Sequence, residues 1–356
     1  MDPYLLVAAA EACAPTPLTA LLDPDLDPAR ALVDPPAQVP AAARARLRNR
    51  QELEATVDRW LNAAAAAGLH VLTPASPHFP PRLLRAPLRP LVLFARGDLA
   101  ALDAHAHRSI TIVGSRTPTA YGVAATRDFA TACARAGLVI WSGLALGVDG
   151  IAHASAIAAS TPTVAVLAGG LDAIYPRAHA GLADAVLAGG GLWLSEAPPG
   201  LRATRGHFPR RNRILAVATE AVLVTEAGLA SGTLHTAAFA GDAGTTVFAV
   251  PGAYTSPRSR GCHQLLVDGA LLAVDPEDLL RNLDILAPPE NTTDAGCSAD
   301  AIALLRLVEV GPRPEDLLWR ESRLERPAYA RALLELTRKG LVELLPGGFV
   351  GRRLRV

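Results

Sequence analysis

The heptapeptide HFPRRNR, His207–Arg213, places three arginines, an asparagine and a phenylalanine together in a chain of zero formal net charge. From Leu201 to Arg213 there are five arginines and no acid. Those residue types suit one chemistry above others. A guanidinium fork pairs with a phosphate through two parallel hydrogen bonds. A ring beside it can stack a nucleobase at a gain of about 1–3 kcal/mol. Related clusters recur along the chain: Gly114-Ser115-Arg116, Ser142-Gly143, Tyr175-Pro176-Arg177, Ser231-Gly232-Thr233, and Pro251-Gly252 with Arg258 and Arg260. Glycines in such loops let backbone N–H groups approach anionic oxygens, and helix N-termini add partial positive charge.

The candidate anion-binding set is therefore Gly114, Ser115, Arg116, Gly143, Arg177, Arg205, Phe208, Arg211, Asn212, Arg213, Ser231 and Gly232. Arg116, Arg205, Arg211 and Arg213 are the candidates to hold phosphate or shape the loop, and Phe208 to meet a base. Alternatives stay open at this level. Arg211 and Arg213 either face an anion or pair inward with Glu196 or Glu226, because neighbouring helical residues do not share one face. Tyr175 either packs beneath its turn or offers its ring, and Phe208 either stacks a base or staples the helix that follows. Asp172, Glu196 and Glu226 lie near arginines, so ion pairs that fix loops are expected of them rather than catalysis.

Other chemistries fit poorly. The histidines are scattered without HExxH spacing, so no metal site is expected. Asp149 and His153 are expected to be structural, at the start of a helix. Ser115 and Ser231 lack the G-x-S-x-G elbow of a hydrolase nucleophile. The loop Gly114–Gly122 is not G-x-G-x-x-G, and the strand ending Trp141-Ser142-Gly143 offers no acid to a ribose hydroxyl. No catalytic residue and no cofactor is expected.

Seven short apolar runs position these clusters: Ser109–Gly114, Leu138–Trp141, Thr163–Ala168, Gly191–Ser195, Ala221–Thr225, Thr246–Val250 and Leu271–Val274. Each is bounded by glycine, proline or polar residues, as parallel strands buried on both faces are. Segments of helical length separate them. The reading is a doubly wound, mostly parallel, Rossmann-like α/β sheet of six or seven strands, which binds ligands beyond the strands' carboxyl ends. Residues 1–88 read as a helical N-terminal module containing a single helical run from Ala41 to Ala67. Residues 89–287 form the core, and 288–297 a linker. Residues 298–356, with three helices (the last stopped by Gly340) and a strand pair, suggest a winged helix.

With 34 basic against 34 acidic side chains, global charge selects no partner, so any nucleic-acid footprint must be local. Lys339 is the only lysine, and the other cations are arginine forks. Cys13, Cys133, Cys262 and Cys297 show no CxxC spacing and read as free thiols of a reducing compartment. No secretory signal or membrane span is expected, which makes the protein cytoplasmic.

The clusters, in this order, resemble the DprA/Smf family of DNA-processing proteins. The residues that carry the resemblance are Val113–Arg116, Ser142–Ala145 with Gly147–His153, Gly170–Asp172 with Tyr175-Pro176, Ser195-Glu196, Phe208–Ile214, Glu226 with Ser231–Leu234, and Ala249–Gly252. They span roughly residues 77–282. The resemblance implies an extended Rossmann core that binds single-stranded DNA, dimerises through that core, protects incoming DNA in natural transformation and loads RecA recombinase without being an enzyme. It implies DNA contacts at Gly114, Ser115 and Arg116 and, in the loop before the RNR motif, at Arg205 and Phe208. It also implies an N-terminal module of the SAM or helix-hairpin-helix kind. Apolar stretches around Phe239, Leu265 and Leu271 are candidates for the dimer surface. The chain departs from the family at His179 and His263, where asparagine is usual, and at Arg177, where lysine is common.

Two other functions compete. A Rossmann-like nucleotide phosphoribohydrolase needs a glutamate three residues after Gly232-Thr233, where Thr236 stands. A winged-helix regulator of double-stranded DNA needs a basic recognition helix, whereas Arg326–Lys339 mixes Arg326, Arg331, Arg338 and Lys339 with Glu335.

Overall fold

The computed structural model describes residues 1–12, 28–36, 39, 41–86, 88–103, 108–285, 297–308, 312–339, 341–345 and 347–352. They form two compact units, divided at residue 285. The first begins with helices α1 (Pro3–Ala12), α2 (Pro28–Val33), α3 (Ala41–Arg48) and α4 (Arg50–Ala66). The single run expected from Ala41 to Ala67 is two helices. Asn49 interrupts it and caps α4, its side chain accepting from the backbone N–H of Glu52, as asparagine favours.

Strands β1 (His70–Leu72), β2 (Leu93–Gly97), β3 (Ser109–Val113), β4 (Val139–Ser142), β5 (Thr163–Leu167), β6 (Leu192–Ser195), β7 (Ala221–Val224), β8 (Thr246–Ala249) and β9 (Leu271–Leu272) build one sheet. Its order is β1-β2-β6-β5-β4-β3-β7-β8-β9. From β6 to β9 every neighbouring pair is parallel, and all seven expected apolar runs are there. The sheet is larger than expected because β1 and β2 add to it antiparallel, beside β6. β1 belongs to the segment read as helical, so that segment is not helical throughout.

The intervening helices are α5 (Pro81–Leu84), α6 (Ala120–Arg135), α7 (Val148–Ala158), α8 (Ala180–Ala188), α9 (His207–Val217), α10 (Thr233–Asp242), α11 (Arg260–Val267) and α12 (Pro276–Asn282). The strands bury both faces. Ile110 and Ile112 pack with Phe129 and Ala152 on one side, while Val113 and Val222 pack with Ile214 and Ala240 on the other. Alternation along each strand therefore carries no polar face, which is why the runs read as continuously apolar. Thr111, between Ile110 and Ile112, donates its hydroxyl to the Leu215 carbonyl at 2.7 Å and so ties β3 to α9.

From β3 the chain winds outward to β4, β5 and β6, then returns to β7 and continues to β9 on the other side. β3 and β7 flank the point where the strand order reverses, the position at which open α/β sheets leave a crevice.

The second unit contains α13 (Ala299–Leu307), β10 (Arg313–Pro314), α14 (Glu315–Ser322), α15 (Arg326–Arg338), β11 (Val342–Leu345) and β12 (Phe349–Arg352). Its antiparallel strands run in the order β10-β12-β11, over a core that includes Leu304, Leu318, Tyr329, Leu336 and Val350. Cys133 and Cys262 are buried free thiols and Cys297 is half-buried. Cys13, Gly340 and residues 288–296 of the expected linker lie outside the described residues.

Candidate nucleic-acid interface

A groove of about 840 Å³ opens at the strand-order reversal. One wall is the loop after β3, Gly114 to Thr117, and the other is the loop from Gly228 to Thr233 after β7. Glu226 joins them. Its backbone carbonyl accepts from Ser115 N–H at 2.7 Å. Its carboxylate accepts from the Thr119 hydroxyl at 2.5 Å and the Thr119 N–H at 3.1 Å. The loops are thus rigidly linked before any ligand arrives.

The floor is α9. Phe208, Arg211, Asn212 and Leu215 all line the groove, at the i, i+3, i+4, i+7 spacing of a single helical face. Arg116 extends from the opposite loop and places its guanidinium 5.2 Å from the centre of the Phe208 ring. Tyr175 meets the same ring edge-on, with centroids 6.0 Å apart. Tyr175 is 58% exposed, and both Arg116 and Arg205 are exposed. Arg258 enters from the loop before α11, donating to the Thr117 hydroxyl at 2.9 Å. Asp149 is the groove's carboxylate, and it is buried. It accepts from the N–H groups of Gly143 at 3.1 Å and Ala145 at 3.3 Å. Burial pushes its carboxyl up, against the pull of Arg211. The solvent-facing charge is consequently cationic.

Nine of the twelve candidates line this one groove: Gly114, Ser115, Arg116, Arg205, Phe208, Arg211, Asn212, Ser231 and Gly232. Gly143, Arg177 and Arg213 do not. Arg213 faces the other way, 7% exposed, with Nη2 2.6 Å from both Glu196 oxygens and Nη1 2.5 Å from the Leu88 carbonyl. Its position one helical step from Asn212 turns it inward, so it braces α9 instead of facing an anion. Gly143 makes room for Arg211, because a Cβ there would stand 2.2 Å from Arg211 Nη1. That Nη1 donates to the carbonyls of Gly143, at 2.6 Å, and Val166. Arg211 Nε donates to Asn212 Oδ1 at 3.0 Å. Arg211 is 6% exposed, and burial pulls its pKa down to about 10, opposed by Asp149 and assisted by Arg116. It remains charged at neutral pH and shapes the floor. Arg177 is exposed on the one-turn 3-10 helix Arg177–His179, two residues beyond Tyr175.

Arg258 and Tyr175 line the groove and were outside the twelve candidates. Arg258 carried a signal in its position after the Pro251-Gly252 loop. Tyr175 carried one in its place beside Pro176-Arg177. The two histidines at positions where the resemblance implies asparagine hold loops: His179 Nδ1 lies 2.9 Å from the Leu144 carbonyl and His263 Nε2 lies 3.0 Å from the Gly252 carbonyl. His153 is buried with Nδ1 2.8 Å from the Thr163 hydroxyl, and burial pulls its titration down to about 3. Among the described residues no group of three or more His, Cys, Asp or Glu side chains could hold a metal ion.

Fold and groove together define a Rossmann-like α/β protein with an arginine- and aromatic-lined cleft at its strand-order switch. The family described as DNA recombination-mediator protein A matches residues 70–284, and the chain belongs to that family. It is 39% identical over 296 residues to Protein Smf of Escherichia coli, covering 80% of this chain and 78% of the relative. It is 39% identical over 247 residues to DNA processing protein DprA of Bacillus subtilis, covering 69% and 81%. The structure of DNA processing protein A from Streptococcus pneumoniae superposes with a TM-score of 0.63 at 29% identity, covering 79% of this chain and 98% of that one. That of the Helicobacter pylori protein, described for its single-stranded DNA binding mode, superposes with a TM-score of 0.55 at 29% identity, covering 60% and 95%.

Proposed function

We propose that this protein binds single-stranded DNA in the groove between Arg116 and Phe208, protects incoming DNA during transformation and delivers it to the RecA recombinase, without catalysing a reaction. The observation that carries the reading is the Arg116–Phe208–Tyr175 cluster set between two glycine-bearing loops. Arginine forks and loop N–H groups suit a phosphodiester chain, and stacking rings suit bases of any sequence. Family membership and the Helicobacter pylori relative's single-stranded DNA binding support the same substrate. The direct test is binding of a fluorescent oligothymidine across a range of salt concentrations. Saturable binding that weakens with salt supports the reading, and no binding at low salt overturns it.

Arg116→Ala is expected to weaken that binding equally for oligomers of different sequence. The slope of log K against log salt is expected to flatten by about 0.7, the value of one phosphate contact on a single strand. An unchanged slope would remove Arg116 from the site.

The reading extends to a homodimer through the core. Edge strand β9 exposes Leu271 and Leu272, with exposed Val267 and Val274 on either side. An apolar sheet edge of this kind invites pairing unless it is covered. Leu271→Asp with Leu272→Asp is expected to convert a species of twice the monomer mass into monomer, by light scattering on a sizing column. Persistence of the dimer would place the interface elsewhere. We read the second unit as a winged helix, on its order of helix, short strand, two helices and strand pair. Among the described residues no helix is long and apolar enough to cross a membrane, and a cytoplasmic site of action fits the proposed partners.

A further inference from the structure

Helix α9 divides its arginines between two faces. Phe208, Arg211, Asn212 and Leu215 line the groove. Arg210 and Arg213, three residues apart, turn to the opposite side and share the carboxylate of Glu196. Arg210 also reaches the N-terminal helix: its Nη2 lies 2.9 Å from Glu11 Oε1 on α1. Its Nε and Nη2 meet Glu196 at 2.9 and 3.1 Å. Glu11 is only 2% exposed, a depth at which an unpaired carboxylate is strongly disfavoured. The sole residue between Phe208 and Arg210 is Pro209, whose ring fixes φ. Helix α9 is entered from Gly206 with no side-chain cap; His207 is tied to Thr204, and Arg210 adds the ties to Glu196 and Glu11 within the first turn. Phe208 and Arg210 share that first turn, so what anchors Arg210 bears on the placement of Phe208.

We propose that Glu11 is a positioning residue for nucleic-acid binding: through Arg210 it makes the N-terminal helices set the placement of Phe208 and so the affinity of the groove. The inference rests on the single-stranded DNA reading above. It assigns α1 a role in the groove without any contact between α1 and the ligand, because Glu11 acts from the other side of α9. Coupling between separated groups in proteins typically changes affinity by about 5–150-fold.

The test uses the full chain and fluorescent oligothymidine. Glu11→Gln is expected to weaken binding by about fivefold or more while leaving the salt slope unchanged, since no phosphate contact is removed. Glu11→Asp, which keeps the charge on a shorter arm, is expected to recover part of the loss. The decisive measurement is Glu11→Gln in the Phe208→Ala background. A residue acting through Phe208 loses most of its effect once the ring is absent, whereas general destabilisation gives additive losses. Additive losses, or Glu11→Gln binding with wild-type affinity, overturn the inference. If Glu11→Gln does not fold, Arg210→Lys keeps the cation without its two-sided fork and is judged by the same cycle. Failure of the wild-type protein to bind oligothymidine would instead overturn the function proposed above.

Discussion

Replacement of Phe208 by alanine is expected to weaken oligothymidine binding by about 1–3 kcal/mol, the loss of one stacked base, or roughly 5–150-fold in Kd. Phe208 lies at the junction of the groove, under the Arg116 guanidinium and against the Tyr175 ring. In the proposed mode of binding, truncation removes the face on which a base would stack, together with the ring under the Arg116 guanidinium. Every cation of the groove is retained, so the salt slope is expected to stay close to wild type. Affinity measured at several salt concentrations separates the two terms. A marked change of slope would show that the loops had collapsed, and unchanged affinity would remove the ring from the site. Phe208→Tyr, which keeps the ring, is expected to bind nearly as wild type.

Glu196→Gln is expected to have the largest effect on stability, about 3 kcal/mol, by urea unfolding. Glu196 sits between Arg210 and Arg213, and these two arginines hold α9 against β6 and the Leu88 carbonyl. Removing the charge leaves two guanidiniums partly or wholly buried without their shared anion. The pH dependence follows from the same contacts. Burial opposes ionisation of Glu196, but Arg213 and Arg210 prevail and hold its carboxyl below the usual carboxylate range. A carboxyl lowered in the folded state contributes stability in full above the unfolded value of about 4.3. That contribution is lost as pH falls through the folded value. The wild-type urea midpoint is therefore expected to fall more steeply below about pH 4.3 than the variant's, so that the two curves converge in acid. Parallel curves would mean that Glu196 contributes no acid sensitivity.

The sheet was legible where burial is symmetric. Runs such as Ser109–Gly114 and Ala221–Thr225 are apolar because helices cover both faces, and the run lengths exclude helices. β1 was hidden by its three-residue length and by the exposed His70 at its start. β2 was half-hidden by the exposed Arg96 and Gly97 at its end. The break at Asn49 was obscured because alanine- and arginine-rich sequence on both sides favours helix, and only the cap marks the interruption.

The groove was legible as a set of residue types and not as a set of contacts. Arg211 and Arg213 stand two residues apart in one motif, yet one lines the groove floor and the other is sealed against Glu196. Their different surroundings come from Gly143, Val166, Leu88 and Glu196, which are distant in the chain. Gly143 looked like the anion-approach glycines, but its missing side chain is filled by Arg211.

By itself, the sequence determined the parallel sheet, the rim on which the glycine loops fall, and the cationic and aromatic character of that rim. Those features follow from local periodicity and side-chain chemistry. Only the tertiary structure decided which cations face solvent, which brace the helix, and that Glu11 of the first helix reaches the HFPRRNR segment. The physical reason is that a guanidinium's role depends on whether a carboxylate or a carbonyl reaches it before water does, and those partners are brought to it by chain segments far away in sequence.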